Sequence, residues 1–367
     1  MPMHPSLAQR VAGAAAGALI GDALGLGPHW YYDLEALRRD FGPWISGYTT
    51  PKPGRYHAGM QAGELSQTGL VTLELLRSLV ACQGYDQAEF CARLDAKFLA
   101  HMDGSPYSGP GGYTNQGFRD AYQARVKDGL PWASGQIGSQ TGGYADTTEA
   151  AERAALIALR YALDPLRGAL LARENILLTH VDPFVAAMSL SFDIVVAAVA
   201  RGDALDADLG AKLYGMVAAE ELPFTHVNLA GTDPDAPEPR AASAALTAPD
   251  GLLFPSHVWR AAKDPEVRIE PAWKASLVYG LPCSLICMFP AAYYLAARFE
   301  DDFESAVLHA VNGGGQNMSR AMLTGLLVGA RCGLEGIPAR FLDGLAHGPE
   351  VVELALKLGR QAEGEGA

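Results

Sequence analysis

The sequence predicts an all-α protein, and three observations carry that prediction. Apolar residues recur at three- and four-residue spacing along nearly the whole chain, no segment alternates strictly as a half-buried strand would, and alanine and glycine are concentrated where helices would have to approach closely. The length of 367 residues allows two average domains, but no Ser/Gly-rich or charged linker divides the chain. One helical domain over residues 1–367 is therefore expected.

The first predicted helix, residues 7–24, is rich in Ala and Gly, a composition suited to close packing at a core centre. The second, 65–81, repeats Leu and Val at helical spacing. Further helices are expected over 86–101, 115–128, 147–163, 167–179, 184–200, 205–219, 284–298, 302–311, 317–332 and 349–359. At the start of 147–163, Asp146 followed three residues later by Glu149 has the spacing of a capping box. Segments 29–64 and 103–115, dense in Gly, Pro, Tyr and Trp, and 222–282, with nine prolines and with Trp259 and Trp273, read as long loops of the kind that form lids and pocket walls.

Composition excludes several classes. With 28 basic against 41 acidic residues the formal charge is −13, a field that repels a phosphate backbone, so no nucleic-acid partner is expected. The apolar stretch from Val11 to Ile20 follows a single positive side chain, Arg10, and is too short to span a bilayer. It reads as a buried helix of a cytoplasmic protein without a membrane partner. Five cysteines, at 82, 91, 283, 287 and 332, show no ligand-like pairing and read as free thiols.

Five segments carry a likeness to known sequences: Gly21-Asp22-Ala23-Leu24-Gly25, Gly63-Glu64-Leu65-Ser66-Gln67-Thr68-Gly69, Thr179-His180-Val181-Asp182-Pro183, Asn312-Gly313-Gly314-Gly315-Gln316-Asn317-Met318-Ser319-Arg320, and Gly333-Leu334-Glu335-Gly336-Ile337-Pro338. In order and placement they resemble the ADP-ribosylglycohydrolase family, of the dinitrogenase-reductase activating glycohydrolase type. The resemblance implies a compact orthogonal multi-helix bundle with a central cleft. It also implies a binuclear Mg2+ site built on Gly-x-x-Thr-Asp-Asp-Thr and Gly-Gly-Asp-x-Asp-Thr.

Here the first of those segments has Ser66, Gln67, Thr68 and Gly69 in the last four positions, and the second has Gln316, Met318 and Ser319. A thioether is no ligand for a hard cation, and four lost carboxylates remove the attraction that would dehydrate Mg2+. No metal and no other cofactor is expected. The new amides and hydroxyls could equally serve only to cap two helices.

Candidate site residues follow. Asp22 matches the family pattern unchanged, whereas His29 stands near a position where that pattern carries an acid. An imidazole there could act as general acid or base, with Trp30, Tyr31 and Tyr32 as a stacking platform and Asp33 as a neighbouring carboxylate. Arg55 and His57 could bind an anionic group, Tyr113 lies in a Gly-rich pocket wall, and Asp146 and Glu149 are the surviving acids near the cleft. Ser66, Gln67, Asn312, Gln316, Asn317 and Ser319 would hold substrate where the family holds metal. His180 is expected to be structural.

Two functions fit these residues. One is a metal-independent hydrolase or lyase for a small glycosidic or nucleoside-like metabolite, with His29, Glu149, Asp22 and Asp33 supplying acid–base chemistry. The other is a non-catalytic pseudoenzyme or binding protein for an ADP-ribose-like ligand. The expected partner is a small molecule, and self-association into a homo-oligomer is left open.

Overall fold

The structure is a computed structural model that describes residues 5–132, 141–224 and 250–364. Among the described residues there are α-helices, short 3-10 and π turns and two isolated bridges, but no strands. In chain order the helices are α1 (Leu7–Leu26), α2 (Leu34–Phe41), α3 (Gln67–Ala81), α4 (Gln87–Lys97), α5 (Gln116–Tyr122), α6 (Glu149–Arg160), α7 (Pro165–Ile176), α8 (Pro183–Arg201), α9 (Leu209–Ala218), α10 (Asp250–Lys263), α11 (Ala275–Tyr279), α12 (Leu285–Arg298), α13 (Phe303–Asn312), α14 (Asn317–Cys332), α15 (Ala339–Gly344) and α16 (Gly348–Glu363).

Helix α1 is the axis of the fold, and its glycines explain why. Gly13, Gly17, Gly21 and Gly25 recur one turn apart and so share one face. A Cβ on Gly13, Gly17 or Gly21 would lie 2.3, 2.2 or 2.3 Å from the backbone oxygen of Gly329, Gly325 or Ala321, and one on Gly25 would lie 2.3 Å from Met318 Cα. The backbones of α1 and α14 are therefore in direct contact over the length of both helices. Every residue from Arg10 to Leu26 is buried. On its other sides α1 meets α3, α6, α8 and α16, and Ala8 N–H donates to Glu363 Oε1 at 2.7 Å to fix the last of these.

This arrangement brings the C-terminal half of α1 and the N-termini of α3, α6 and α14 to one place. Helix α3 is capped by Ser66, whose hydroxyl accepts from Gly69 N–H at 3.3 Å. The rest of α3 is held from outside by Glu74, a carboxylate gripped by Arg77, by Arg93 at 3.2 Å and by Lys97 at 2.8 Å.

Three sequence expectations need correction. The segment 29–64 contains α2, started by Asp33, which accepts from Glu35 and Ala36 N–H at 2.9 and 3.2 Å, and stopped by Gly42 at φ +86°. The segment 222–282 contains α10 and α11. Helix α10 buries Leu252, Val258 and Ala262, a helical period obscured in sequence by Pro255 inside it. The Asp146–Glu149 capping box does not form: the N-cap of α6 is Thr148, no side chain caps the helix, and Asp146 is exposed.

Helix α8 is long and apolar enough to cross a membrane, yet 89% of its most apolar window is buried inside the protein. Within it sits a fully buried carboxyl, Asp193, neither of whose oxygens has a hydrogen-bond partner among the described residues. Burial pushes its pKa well above the usual range, and the charge of Arg153 offsets only part of that. The unfolded chain ionises Asp193 near 3.8 while the folded protein keeps it protonated, so the stability it contributes is full below 3.8 and declines up to the folded value. Asp193→Asn is expected to gain stability over the wild type by about 1.4 kcal/mol per pH unit across that window. Urea unfolding at several pH values measures this, and a difference independent of pH would contradict it.

Candidate functional site

At the convergence of α1, α3, α6 and α14 lies a buried polar centre roofed by two loops. His29 follows α1 in a turn whose next residue, Trp30, has a left-handed backbone (φ +59°). That conformation is unusual for a non-glycine residue and is held by a local ladder. Trp30 N–H donates to Gly315 O at 3.1 Å, and Gly315 N–H donates to Tyr31 O at 2.8 Å. Gly315 itself has φ +59°, and a Cβ there would strike Leu281 O at 2.5 Å. The Gly-rich run before α14 is thus the device that docks the His29 turn.

His29 is buried between two partners. Its Nδ1 is 2.7 Å from His57 Nε2 and its Nε2 is 2.5 Å from Gln316 Oε1. The two imidazoles stack at 4.9 Å, and Trp30 stacks on His29 at 4.5 Å. Burial, then the neighbouring His57, lowers the His29 pKa far below the ordinary imidazole value, and burial lowers that of His57 to about 4. Both rings are therefore neutral near pH 7. Gln316 Nε2 donates to Ser319 Oγ at 3.0 Å, and His57 Nδ1 lies 3.3 Å from Gly111 O.

Three buried carboxyls influence one another here, and of these Glu152 is the one within reach of Ser319. Asp22 is fully buried and accepts from Ser66 N–H at 2.8 Å and from the Ser66 hydroxyl at 2.5 Å. Burial raises its pKa to about 6 against these hydrogen bonds. Gly69 makes room for it, since a Cβ there would lie 2.2 Å from Asp22 Oδ2. A threonine at position 69, as in the family pattern, could not coexist with this placement of Asp22.

Glu149 opens α6, takes a hydrogen bond from the Thr147 hydroxyl, and lies 3.5 Å from His180 Nε2. Burial pushes its pKa up, but His180 and Thr147 together outweigh that and leave it below the usual value. One turn further, Glu152 is completely buried, and burial followed by the charge of Glu149 raises it to about 8. Thr148 donates to Glu152 Oε1 at 2.6 Å. Glu152 is not among the candidates the sequence suggests. Its one signal there is an acid three residues after Glu149 inside a run of alanines, where every other position is core.

The remaining candidates divide by location. Gln67 is held from the Gly-rich loop: it donates to Thr114 Oγ1 at 3.2 Å and accepts from Asn115 N–H at 3.3 Å. Gly111, at φ +87°, lies so close that a Cβ would meet Gln67 N at 2.1 Å. Tyr113 and Tyr56 pack edge-on against Trp30 at 4.8 and 4.4 Å. Tyr107, 64% exposed, and Tyr32, 51% exposed, extend this aromatic rim into solvent.

Others stand apart from the centre. Asp33 is consumed in capping α2, and Asp146 is exposed, its carbonyl accepting from Leu285 N–H at 2.9 Å. Tyr31 is buried, donates to Asp40 Oδ2 at 2.7 Å and carries the Arg55 guanidinium 3.6 Å over its ring. Asn312 clamps both backbone groups of Ile45 at 2.8 Å, and Asn317 reaches Val311 O at 3.4 Å.

The residues at the family's metal positions do not fit Mg2+. The amide oxygens of Gln67 and Gln316 are engaged by protein partners, Met318 packs at Gly25, and Asp22 is held by Ser66. Among the described residues no three His, Cys, Asp or Glu side chains gather as a metal ion requires.

Helix N-termini thus gather buried acids and imidazoles beneath an aromatic-rimmed loop layer in an all-α scaffold. The sequence matches the ADP-ribosylglycohydrolase family over residues 3–367, and the chain belongs to that family. Among solved structures, one described as an ADP-ribosylglycohydrolase-related protein complex shares the fold, with a TM-score of 0.61 and 20% identity, over 97% of this chain and 99% of that one. No curated protein matches the sequence.

Proposed function

We propose that the protein is a hydrolase of the glycohydrolase type that acts on a small glycosidic or nucleoside-like metabolite without a bound metal. The observation that carries this reading is the His29–His57 pair, neutral, buried and roofed by Trp30, Tyr56 and Tyr113, with two carboxyls at the start of α6, Glu149 and Glu152, whose environments drive their acidities apart. Glu149 is ionised and can stabilise positive charge developing on a sugar ring or accept a proton from water. Acid–base pairs separated in this way are what glycoside cleavage needs. The aromatic rim suits stacking of a planar aglycone. A small-molecule partner and a cytoplasmic setting go with this reading.

A second reading, a non-catalytic binding protein for an ADP-ribose-like ligand, is favoured by a different observation: Asp22, Gln67 and Gln316 are all engaged within the protein. Mass spectrometry of a panel of nucleosides and ADP-ribosyl glycosides incubated with the protein in EDTA separates the two. Release of free sugar supports the hydrolase. A compound that stabilises the fold but is recovered intact supports the binder.

A further inference from the structure

A cavity separate from the polar centre lies at the C-terminal end of α14. Its floor is made by Val199 of α8, Ala296 of α12 and Leu327 and Val328 of α14, all buried, and Trp259 of α10 forms one wall. The cavity measures about 90 Å3. Along α14, Ser319 at the polar centre and Arg331 at the cavity mouth are roughly 18 Å apart at the helical rise, so a molecule held here does not reach the imidazole pair.

The mouth carries charge of both signs. Arg331, Asp206 and Glu300 line it, and each engages the protein with only part of its hydrogen-bonding capacity. Arg331 donates through Nε alone, to Asp301 Oδ1 at 3.3 Å. Glu300 accepts from Lys263 Nζ at Oε1, 3.1 Å away, and Asp206 accepts from Asp208 and Leu209 N–H at Oδ1, at 2.9 and 3.1 Å. Among the described residues, the terminal nitrogens of Arg331 and the second oxygen of each carboxylate have no hydrogen-bond partner.

The size and lining define what fits. An apolar cavity of about 150 Å3 takes the six carbons of benzene, so one of about 90 Å3 suits a compact group of about four carbons. The apolar floor favours a hydrocarbon group in that place. A bare carboxylate at the mouth would meet Arg331 but also two like charges, and a bare amine would meet two carboxylates but also the guanidinium. A molecule that carries both charges beside its hydrocarbon group satisfies all three.

We propose that this cavity binds a small aliphatic α-amino acid. Its branched side chain would lie on the floor against Trp259, its carboxylate on Arg331 and its ammonium between Asp206 and Glu300. The planar fork of a guanidinium matches a carboxylate through two parallel bonds, and the terminal nitrogens of Arg331 are the ones left for it. The site is independent of the hydrolase reading above and neither needs it nor tests it.

Isothermal titration calorimetry of the full chain with L-leucine tests this, beside three comparators that each lack one part. Glycine lacks the hydrocarbon group, 4-methylpentanoate the ammonium and 3-methylbutylamine the carboxylate. Leucine is expected to bind saturably at one site, and each comparator at least about tenfold more weakly. Arg331→Gln is expected to weaken leucine about tenfold and to leave 3-methylbutylamine unchanged; the fold loses only the surface pair with Asp301. Ala204 lines the cavity at an exposed position, so Ala204→Trp is expected to block the mouth and abolish leucine binding while the Tm without ligand stays that of the wild type. No binding of leucine up to about 20 mM overturns the proposal. So does 4-methylpentanoate binding as tightly as leucine, which would make the cavity a simple apolar hole, and so does undiminished leucine binding in Ala204→Trp, which would place the molecule elsewhere.

Discussion

Gly17→Ala is expected to cost about 3 kcal/mol of stability, although it adds one methyl group and replaces a poor helix former by the best one. The new Cβ would sit 2.2 Å from Gly325 O and 3.0 Å from Phe303, and the nearer of these is backbone that no rotamer change can move. The α1–α14 pair would have to separate, and α1 is buried from Arg10 onward, so the strain spreads into α3, α6 and α8. The identical change at Gly215 provides the comparison. That residue is exposed inside α9, and a Cβ added to it would meet nothing within 4 Å. Gly215→Ala is therefore expected to stabilise by about 0.5–1 kcal/mol. Chemical denaturation of both variants reads the two signs directly, and equal effects would refute the close-contact account of the helix pair.

His29→Ala and Glu149→Ala are each expected to lower turnover of a cleaved glycoside by about 10²–10⁴-fold while circular dichroism remains that of the wild type. His29 is the middle of the imidazole chain: its removal takes away the partner of His57, at 2.7 Å, and of Gln316, at 2.5 Å. Glu149 is the carboxyl whose surroundings keep it ionised, and His180 and Thr147 would be left facing a void. Wild-type rates in both variants would move the chemistry out of this centre.

Much of the fold is legible in the chain because its strongest signals are local. The Ala- and Gly-rich composition of α1 announces close packing without reference to any partner, and α14 begins and ends at the residues expected, 317–332. Helices α2 and α10 escape a reading by periodicity for a local reason as well: one is eight residues long, and the other carries Pro255 within it.

The site is less legible because its meaning depends on residues distant in sequence. His57 gains its role from His29, 28 residues earlier, and Gln316 gains its role from a partner 287 residues away. Glu152 looks like any helix acid until α1 and α14 close over it. Conversely, Asp33 and Asn312 look like site residues in sequence and are occupied in holding α2 and Ile45. Gly69 is the substitution whose physical meaning changes most, from the absence of a hydroxyl to the space that admits Asp22.

Thermal unfolding with increasing Mg2+ tests the proposed metal-free function. A cation that binds only the folded state at 100 times its Kd adds about 2.7 kcal/mol. The same Tm is expected in EDTA and across the Mg2+ series, and a dose-dependent rise in Tm would show a bound ion.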